Sequence, residues 1–362
     1  MRIGVLTGGG DAPGLNPAVA GIVERASVYG YEVMGLKRGW EALCVEDIDS
    51  YTVPLGPEVI REYSRLGGSK LLCSRTNPVS EKNDRTDLVL SNIKKLKLDA
   101  LVAIGGDDTL GAGAALAKMG VAVIGIPKTI DRDLAGTEYS LGYDTALNVI
   151  CDCAERIAHT AESHQTIFFL EVMGRHAGWL ALRGGEAAFA DIILIPEYAF
   201  TLEKLSSVIK EQLERKGYSG FEQTYKIIVV AEGAHIEGEE EVRKDAHLDE
   251  FGHYSLGGVG SYLKGLLEHE FHHTRYTALA YLQRGAPPSQ KDRQMGRRFG
   301  NNAVEMIKNG EFGYMVALQR SRLTKVPLEK VKESPNLVDV GKYYDTDRLN
   351  VKIEWTDEDA PR

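Results

Sequence analysis

The 362-residue sequence contains few cysteines, no long apolar run and no excess of positive charge. Two of its four cysteines, Cys151 and Cys153, match no common zinc spacing, and no histidine pair completes a site, so we expect reduced thiols. No segment is apolar enough to span a bilayer, and the N-terminus leads directly into a predicted strand without a signal-peptide pattern. We therefore expect a cytoplasmic protein without a membrane partner. The net charge of −9 argues against a nucleic-acid groove.

The remaining composition is ordinary for a globular protein, with 43% hydrophobic and 26% charged residues. A chain of this length is expected to form two domains or one large domain. Strand, turn and helix alternate in both halves, which predicts an α/β fold. Strands are predicted at 2–6, 31–36, 101–104, 121–126, 165–172, 192–195, 226–230, 275–282 and 315–318, and helices at about 17–29, 84–98, 143–162 and 289–309.

Residues 101–133 contain two successive units in which a short apolar strand leads into a polar turn. The first strand, 101–104, is followed by the motif GGDDT at 105–109, and the second, 121–126, is followed by PKTIDRD at 127–133. In an open α/β sheet, ligands bind outside the carboxyl ends of the strands. We therefore expect these two turns to lie side by side at one edge of a sheet.

These turns would gather acidic side chains beside Lys128 and Thr129. Carboxylates in one place repel each other unless something compensates them, and Mg²⁺ together with a phosphate does so. The alternative is that the acidic residues cap helices and form turns, which is a common role of aspartate. Two adjacent motifs favour the phosphate site. The acidic residues are Asp107, Asp108, Asp131 and Asp133.

Other turns carry weaker signals of the same kind. The glycines at 8–10 follow the first predicted strand, and backbone N–H groups of such a turn can approach a phosphate. Arg75 follows another glycine pair and could reach an anion, although a solvated surface arginine is an equally ordinary explanation. Arg175 stands in a glycine turn after the strand at 165–172, where a cation could stabilise a transferring phosphoryl group.

The chain resembles the phosphofructokinase family, the type with paired α/β domains, from Met1 to about residue 310. The motifs that carry the resemblance occur in order: LTGGGDAPGLN, GGDDT, PKTIDRD, SHQ followed by EVMGR, AEG, and QRG. The resemblance implies two Rossmann-like, three-layer α/β/α domains with mostly parallel sheets and an active site in the cleft between them. Residues 1–142 plus about 283–333 would bind the phosphate donor and Mg²⁺, and residues 143–282 plus about 334–362 would bind the acceptor.

The resemblance further implies phosphoryl transfer with Mg²⁺ as the cofactor. Asp131 would take the proton from the acceptor hydroxyl, and Asp107 would hold Mg²⁺. Thr129 and Arg175 would stabilise the moving phosphoryl group, and Asp133 would support the site. Such chemistry depends on positioning and charge neutralisation more than on covalent intermediates.

The binding residues are likewise implied by the resemblance. The donor would contact Gly10, Arg75, Gly106, Asp108, Thr109 and Lys128. The sugar-type acceptor would contact Thr129, Asp131, Thr166, Met173, Gly174, Arg175, Glu232, Arg275, Tyr281 and Arg284. In this family the arginine at position 275 reaches the site of a neighbouring subunit, so a homo-oligomer, either a dimer or a tetramer, is implied.

Two positions indicate the phosphate donor. Family members that use ATP typically have glycine where this chain has Asp108 and Lys128, whereas members that use pyrophosphate resemble this chain. The Asp108 carboxylate would add bulk and repulsion where the α-phosphate of a nucleotide lies, and Lys128 would grip a compact, highly charged anion. Pyrophosphate is the predicted donor; ATP is the alternative, because some members with GGDD use it.

Three departures from the family pattern concern the acceptor and the base. The family normally has arginine at position 166 and histidine at position 281, both on the sugar phosphate, and this chain has Thr166 and Tyr281. Losing one hydrogen bond to a charged group costs about 1.5–3 kcal/mol. Arg132 replaces the usual asparagine beside Asp131. Ala20 and Glu24 stand where allosteric members have effector arginines, so no activation by nucleoside diphosphates is expected.

These observations leave several functions open. The first is a reversible, non-allosteric pyrophosphate-dependent 6-phosphofructokinase of glycolysis, acting on fructose 6-phosphate. The second is a kinase of the same fold with an unphosphorylated sugar, polyol or nucleoside as acceptor, which Thr166 and Tyr281 favour. The third is a non-catalytic regulatory or binding subunit, against which the intact Asp107, Thr129 and Asp131 argue.

Overall fold

The structure is a computed structural model that describes residues 1–214, 225–243, 254 and 256–353. It divides into two compact units. Unit 1 comprises Met1–Ala146 and Arg284–Asn336, and unit 2 comprises the described residues of Leu147–Ala246, Tyr254–Gln283 and Leu337–Arg362. No helix in the described ranges is both long and apolar enough to cross a membrane.

Strands and helices alternate along the chain, as the sequence predicts. The strands are β1 (Arg2–Thr7), β2 (Glu32–Leu36), β3 (Thr52–Leu55), β4 (Val79–Ser80), β5 (Asn83–Asp84), β6 (Ala100–Gly105), β7 (Val123–Thr129), β8 (Leu141–Gly142), β9 (Ile167–Val172), β10 (Ile192–Leu194), β11 (Lys226–Ala231), β12 (Thr274–Ala278), β13 (Tyr314–Gln319), β14 (Arg322–Pro327), β15 (Tyr344–Asp345) and β16 (Asn350–Val351). The α-helices are α1 (Leu15–Val28), α2 (Pro57–Tyr63), α3 (Thr86–Lys95), α4 (Asp107–Lys118), α5 (Tyr143–His164), α6 (Trp179–Ala187), α7 (Leu202–Glu214), α8 (Val259–Leu267), α9 (Leu282–Gly285), α10 (Gln290–Lys308) and α11 (Val340–Tyr343).

The main sheet of unit 1 has the strand order β14-β13-β7-β6-β1-β2-β3, with β8 paired to β7. Strands β13, β7, β6, β1 and β2 run parallel, and β14 and β3 are antiparallel to their neighbours. Strand β6 is buried along its whole length, as expected for a central strand between helical layers. Thr7 pairs with Ile104, and Gly105 pairs with Pro127, so β1, β6 and β7 end at the same edge.

Helices α1 and α10 pack closely against each other beside this sheet. A Cβ atom on Gly300 would lie 2.3 Å from the Ala18 carbonyl oxygen, and one on Gly21 would lie 2.4 Å from the Arg297 carbonyl oxygen. Only glycine allows the two backbones to come so near. The helices bury apolar side chains such as Phe299 against the sheet core.

The sheet of unit 2 has the order β10-β11-β9-β12, and all of its pairings are parallel. Ala231 pairs with Val172, so β9 and β11 end together. The predicted strand at 275–282 is wrong beyond Ala278. Ala280 has a left-handed φ of 42°, which breaks the extended backbone, and α9 begins two residues later. The strand predicted at 315–318 corresponds to β13, whereas β14, which completes the hairpin, was not predicted.

Candidate functional site

The glycine turn after β1 is fixed by backbone hydrogen bonds from both sides. Gly8 N–H donates to the Ile104 carbonyl and Gly9 N–H to the Ser74 carbonyl, each at 2.9 Å. Gly9 has a φ of 76°, a conformation that favours glycine. A Cβ atom on Gly8 would lie 2.5 Å from Thr109 Oγ1. Thr109, a predicted donor contact, is therefore buried directly beneath this turn.

Two cationic side chains approach the turn at Gly10. Lys128 Nζ donates a hydrogen bond to the Gly10 carbonyl, and the lysine is only 4% exposed. A Cβ atom on Gly10 would lie 2.9 Å from Arg284 Nη1. Burial lowers the pKa of Lys128. Glycine at position 10 thus allows the ammonium and guanidinium groups to come close to the backbone of the turn, and such a group of donors suits a compact polyanion.

The acidic turns place carboxylates close enough to influence each other. Burial, followed by the charges of Asp131 and Asp107, raises the pKa of Asp133 to about 7. The Asp133 Oδ1 atom is buried and has no hydrogen-bond partner. Asp107 lies in the first turn of α4, and Asp131 is buried. A divalent cation beside these oxygens would offset the repulsion and satisfy the orphaned atom.

The residues present fit a Mg²⁺ ion that is coordinated partly by the protein and partly by a bound ligand. Within the described ranges, no group of three or more His, Cys, Asp or Glu side chains is arranged to hold a metal ion alone. Mg²⁺ is commonly bound through one or two carboxylates together with substrate phosphates and water. The carboxylates of unit 1 match that mode of binding.

The turn after β7 is stabilised by a hydrogen bond within the turn and by hydrogen bonds from a segment that is distant in the sequence. Asp131 N–H donates to Thr129 Oγ1 at 3.1 Å. Asn336 donates through Nδ2 to the Arg132 carbonyl and through its backbone N–H to the Asp133 carbonyl, both at 2.8 Å. No sequence motif marks Asn336, which lies about two hundred residues away along the chain.

Lys332 is a second residue that sequence reasoning missed. Its Nζ lies 2.9 Å from Asp108 Oδ1, at the end of the 3₁₀ helix Leu328–Lys332. A Cβ atom on Gly111 would lie 2.5 Å from Lys332 Cε, so the glycine makes room for the lysine stem. The contact pairs the Asp108 carboxylate with a cation. A lone lysine in a polar segment offers no signal of this pairing.

The remaining donor residues lie near the same sheet edge. Gly106 is the N-cap of α4, and a Cβ atom on it would lie 3.7 Å from the Lys128 carbonyl oxygen. Arg75 is exposed and directly follows Ser74, whose carbonyl accepts the hydrogen bond from Gly9. Unit 1 thus brings every predicted donor residue to the ends of β1, β6 and β7 or to the segment beside them.

In unit 2, the turn after β9 is tightly bound to the turn after β11. Arg175 has a φ of 51°, and its N–H donates to Glu232 Oε1 at 3.2 Å. A Cβ atom on Gly233 would lie 2.2 Å from the Arg175 carbonyl oxygen. Met173 and Gly174 precede the arginine in the same turn, and Gly174 has a φ of 139°. Backbone strain of this kind concentrates at functional sites.

Other predicted acceptor residues lie at the opposite end of the same sheet. Thr166 immediately precedes β9, and Arg275, the second residue of β12, pairs with Phe168. A six-residue strand spans roughly 17 Å, so these residues are far from Arg175 and Glu232 within unit 2. Tyr281 is 70% exposed. Unit 2 therefore does not bring the predicted acceptor residues together.

Parallel sheets that end in glycine turns, a buried lysine and clustered carboxylates define a phosphate-binding α/β protein. The family model described as phosphofructokinase matches residues 2–307. The chain belongs to the phosphofructokinase family, as the ordered motifs predict.

Similar proteins include users of both phosphate donors. A pyrophosphate–fructose 6-phosphate 1-phosphotransferase of Dictyoglomus thermophilum is 44% identical over 95% of this chain and 96% of its own length. An ATP-dependent 6-phosphofructokinase of Chloroflexus aurantiacus is 41% identical over 91% of this chain and 90% of its own length. The crystal structure of a pyrophosphate-dependent phosphofructokinase from Marinobacter aquaeolei shares the fold, with a TM-score of 0.81 at 20% identity over 97% of this chain and 88% of that one.

Proposed function

We propose that this protein is a pyrophosphate-dependent 6-phosphofructokinase. It transfers a phosphoryl group from pyrophosphate to fructose 6-phosphate and yields fructose 1,6-bisphosphate and phosphate. The observation that carries the proposal is the buried Lys128 ammonium at the Gly10 carbonyl, beside an Asp108 carboxylate paired with Lys332. The relative from Dictyoglomus thermophilum, named for the same reaction, supports it.

The donor assignment rests on the charge and size of this site. Overall identity does not separate the donors, because an ATP-dependent relative is 41% identical. Lys128 places a point charge under the glycine turn, where a small polyanion gains most from it. Asp108 is 19% exposed at its side chain and held by Lys332, so it would repel the α-phosphate of a nucleotide instead of swinging away.

The reaction assigns one role to each central residue. Asp131 takes the proton from the acceptor hydroxyl, whose oxygen then bonds to the terminal phosphorus as the bond to the bridging oxygen breaks. Thr129 and Arg175 stabilise the charge on the moving phosphoryl group. Unit 1 serves as the donor domain and unit 2 as the acceptor domain.

Mg²⁺ is the proposed cofactor, held by Asp107 with Asp133 in support. When bound, it neutralises charge on the donor oxygens. The raised pKa of Asp133 and its orphaned Oδ1 atom support a cation at this place.

The acceptor residues support a homo-oligomer. Because Arg275 and Arg175 lie at opposite ends of the unit 2 sheet, one copy would present Arg175 and Glu232 to the sugar while Arg275 of a second copy reaches its phosphate. Mixing an Asp131→Asn variant with an Arg275→Ala variant tests this arrangement. Activity of the mixture well above the sum of the two parts would support shared sites, and simple additivity would contradict them.

An absence of activation by nucleoside diphosphates is also proposed. Ala20 is buried on α1, and Glu24 pairs with Arg297 of α10 at 2.9 Å. Neither position offers a cation to an anionic effector.

A kinase with an unphosphorylated acceptor is the second candidate, because Thr166 supplies no cation and Tyr281 is exposed. A grid of donors (pyrophosphate, ATP) and acceptors (fructose 6-phosphate, free sugars, polyols, nucleosides) with Mg²⁺ separates the two. The highest kcat/KM should occur with pyrophosphate and fructose 6-phosphate. Poor use of fructose 6-phosphate beside good use of a free sugar would favour the second candidate, and no turnover with any pair would favour a non-catalytic subunit.

A further inference from the structure

Unit 2 has an open cavity of about 420 Å³ at the starting end of its sheet. Its walls come from the end of α5, the start of β9 and the start of β12. The lining includes Thr166, where the family normally has arginine, and Arg275. It also includes His164 and His273, to which no role has been assigned so far.

The strand register places the lining side chains on one face. Thr274 pairs with Ile167, and Ile167 N–H donates to the His273 carbonyl at 2.9 Å. His273 and Thr166 each come one residue before this pair, so they lie beside each other. Side chains two residues apart on a strand share a face, so His273 and Arg275 point to the same side.

His164 enters the cavity from the last turn of α5. The chain then turns sharply, because Gln165 has a left-handed φ of 49°. Thr166 N–H donates to the Ala161 carbonyl at 2.9 Å and Gln165 N–H to the Glu162 carbonyl at 3.3 Å, so these helix-end carbonyls are already bonded. Their partial negative charge is therefore reduced where an anion would enter.

We propose that His164 and His273 act with Arg275 as the contacts for the acceptor phosphate and so replace the missing arginine at position 166. This proposal rests on the proposed function, and the sugar it serves is held by a second copy of the chain. Each imidazole supplies at least one N–H donor, and Arg275 supplies the fixed positive charge. Thr166 leaves the space that a phosphate and two imidazoles need.

Equilibrium binding is the decisive test. Titration calorimetry should measure the affinity of the intact oligomer for fructose 6-phosphate, with His164→Ala and His273→Ala made singly and together. Each single change should weaken binding about tenfold, the loss expected for one hydrogen bond to a charged group. Binding of unphosphorylated fructose should not change. His272→Ala is the matched control, because His272 is the exposed neighbour of His273 and does not line the cavity.

Two further measurements separate binding from mere structural damage. Adding Thr166→Arg to the double variant should restore much of the lost affinity. In steady-state assays, the KM for fructose 6-phosphate should rise while kcat and the KM for pyrophosphate stay within about twofold. Unchanged affinity for fructose 6-phosphate in the double variant would overturn the inference. If wild-type protein binds the sugar phosphate through these histidines but transfers nothing from pyrophosphate, the proposed function fails and the binding inference stands.

Discussion

The proposed phosphate site of unit 1 and the proposed acceptor residues of unit 2 differ in how completely one chain builds them. In unit 1, Lys128 and Asp131 are buried and join the Gly10 turn at one sheet edge. In unit 2, Arg175 and Arg275 lie at opposite ends of the sheet, and Arg275 is exposed. The exposed Arg275 at the open cavity gains little from its own chain, which agrees with the proposal that it acts on a second copy.

The difference also shows where sequence change is tolerated. The glycine turn of unit 1 is fixed by backbone hydrogen bonds, and a side chain at Gly8 would collide with the buried Thr109. The cavity of unit 2 is open, and the proposal assigns the compensation for Thr166 to neighbours on the adjoining strand and helix. Of the two departures from the family pattern at the proposed acceptor residues, Thr166 lies in this open environment.

The largest expected effect comes from Asp131→Asn in the unit 1 site. The side chain keeps its shape but no longer accepts the proton, so kcat should fall by about 10²–10⁴-fold with little change in the KM for fructose 6-phosphate. Asp87→Asn, on an exposed first turn of α3, is the matched control. A variant with near wild-type turnover would remove Asp131 from the mechanism.

The second effect concerns the donor. Replacing both Asp108 and Lys128 by glycine should lower kcat/KM for pyrophosphate by at least about tenfold and raise the preference for ATP. Lys332→Met should move the preference in the same direction but less, because Asp108 loses one of its contacts and can turn away from the donor more easily. Steady-state kinetics with both donors measures the ratio. No shift in the double variant would contradict the donor argument.

Much of the candidate site in unit 1 could be predicted from the sequence, because its residues come directly after the ends of predicted strands. GGDDT and PKTIDRD come directly after β6 and β7, and parallel register brings them to one edge. Asn336 and Lys332 could not be predicted, since a single polar residue about two hundred positions away carries no local pattern. The strand predicted at 275–282 failed for a similar reason, because apolar residues after Ala278 resemble a strand while Ala280 takes a left-handed turn.

The third prediction tests whether the carboxylates of unit 1 need a cation to offset their mutual repulsion. The pKa of Asp133 is raised to about 7 from 3.8, so its contribution to stability is fully present below about pH 4 and lost as pH rises through 7. Asp133→Asn should therefore raise the Tm of Mg²⁺-free protein by about 2–4 °C at pH 8 and leave it unchanged at pH 4.

Calorimetry with and without Mg²⁺ completes this test. The ion should raise the Tm of the wild type at pH 8 and raise that of the variant less, because the variant has lost one carboxylate beside the cation. Asp87→Asn again serves as the control for loss of a charge. A lower Tm for Asp133→Asn at pH 8 would show that the carboxylate is compensated without a metal.

The smallest expected effect comes from replacing Arg132. The change tests whether this residue matters only for the backbone conformation of the unit 1 site or also for its chemistry. Arg132 has a φ of 58°, a region that asparagine adopts more readily than arginine. Its guanidinium lies 5.5 Å from the Tyr143 ring centre, a contact worth about 0.5–1 kcal/mol that Arg132→Asn would lose. We expect the relief of the backbone to exceed this loss slightly and to raise the Tm by about 1 °C, with kcat unchanged within twofold.

Lys97→Asn is the matched control for this change, because the exposed Lys97 has a φ of 52° and lies outside the site. Both variants should gain stability if only the backbone matters. If kcat falls in Arg132→Asn and not in Lys97→Asn, the guanidinium takes part in phosphoryl transfer beside Asp131. The unit 1 site would then contain a cation that the family pattern lacks, and its charge balance would differ from that of relatives with asparagine.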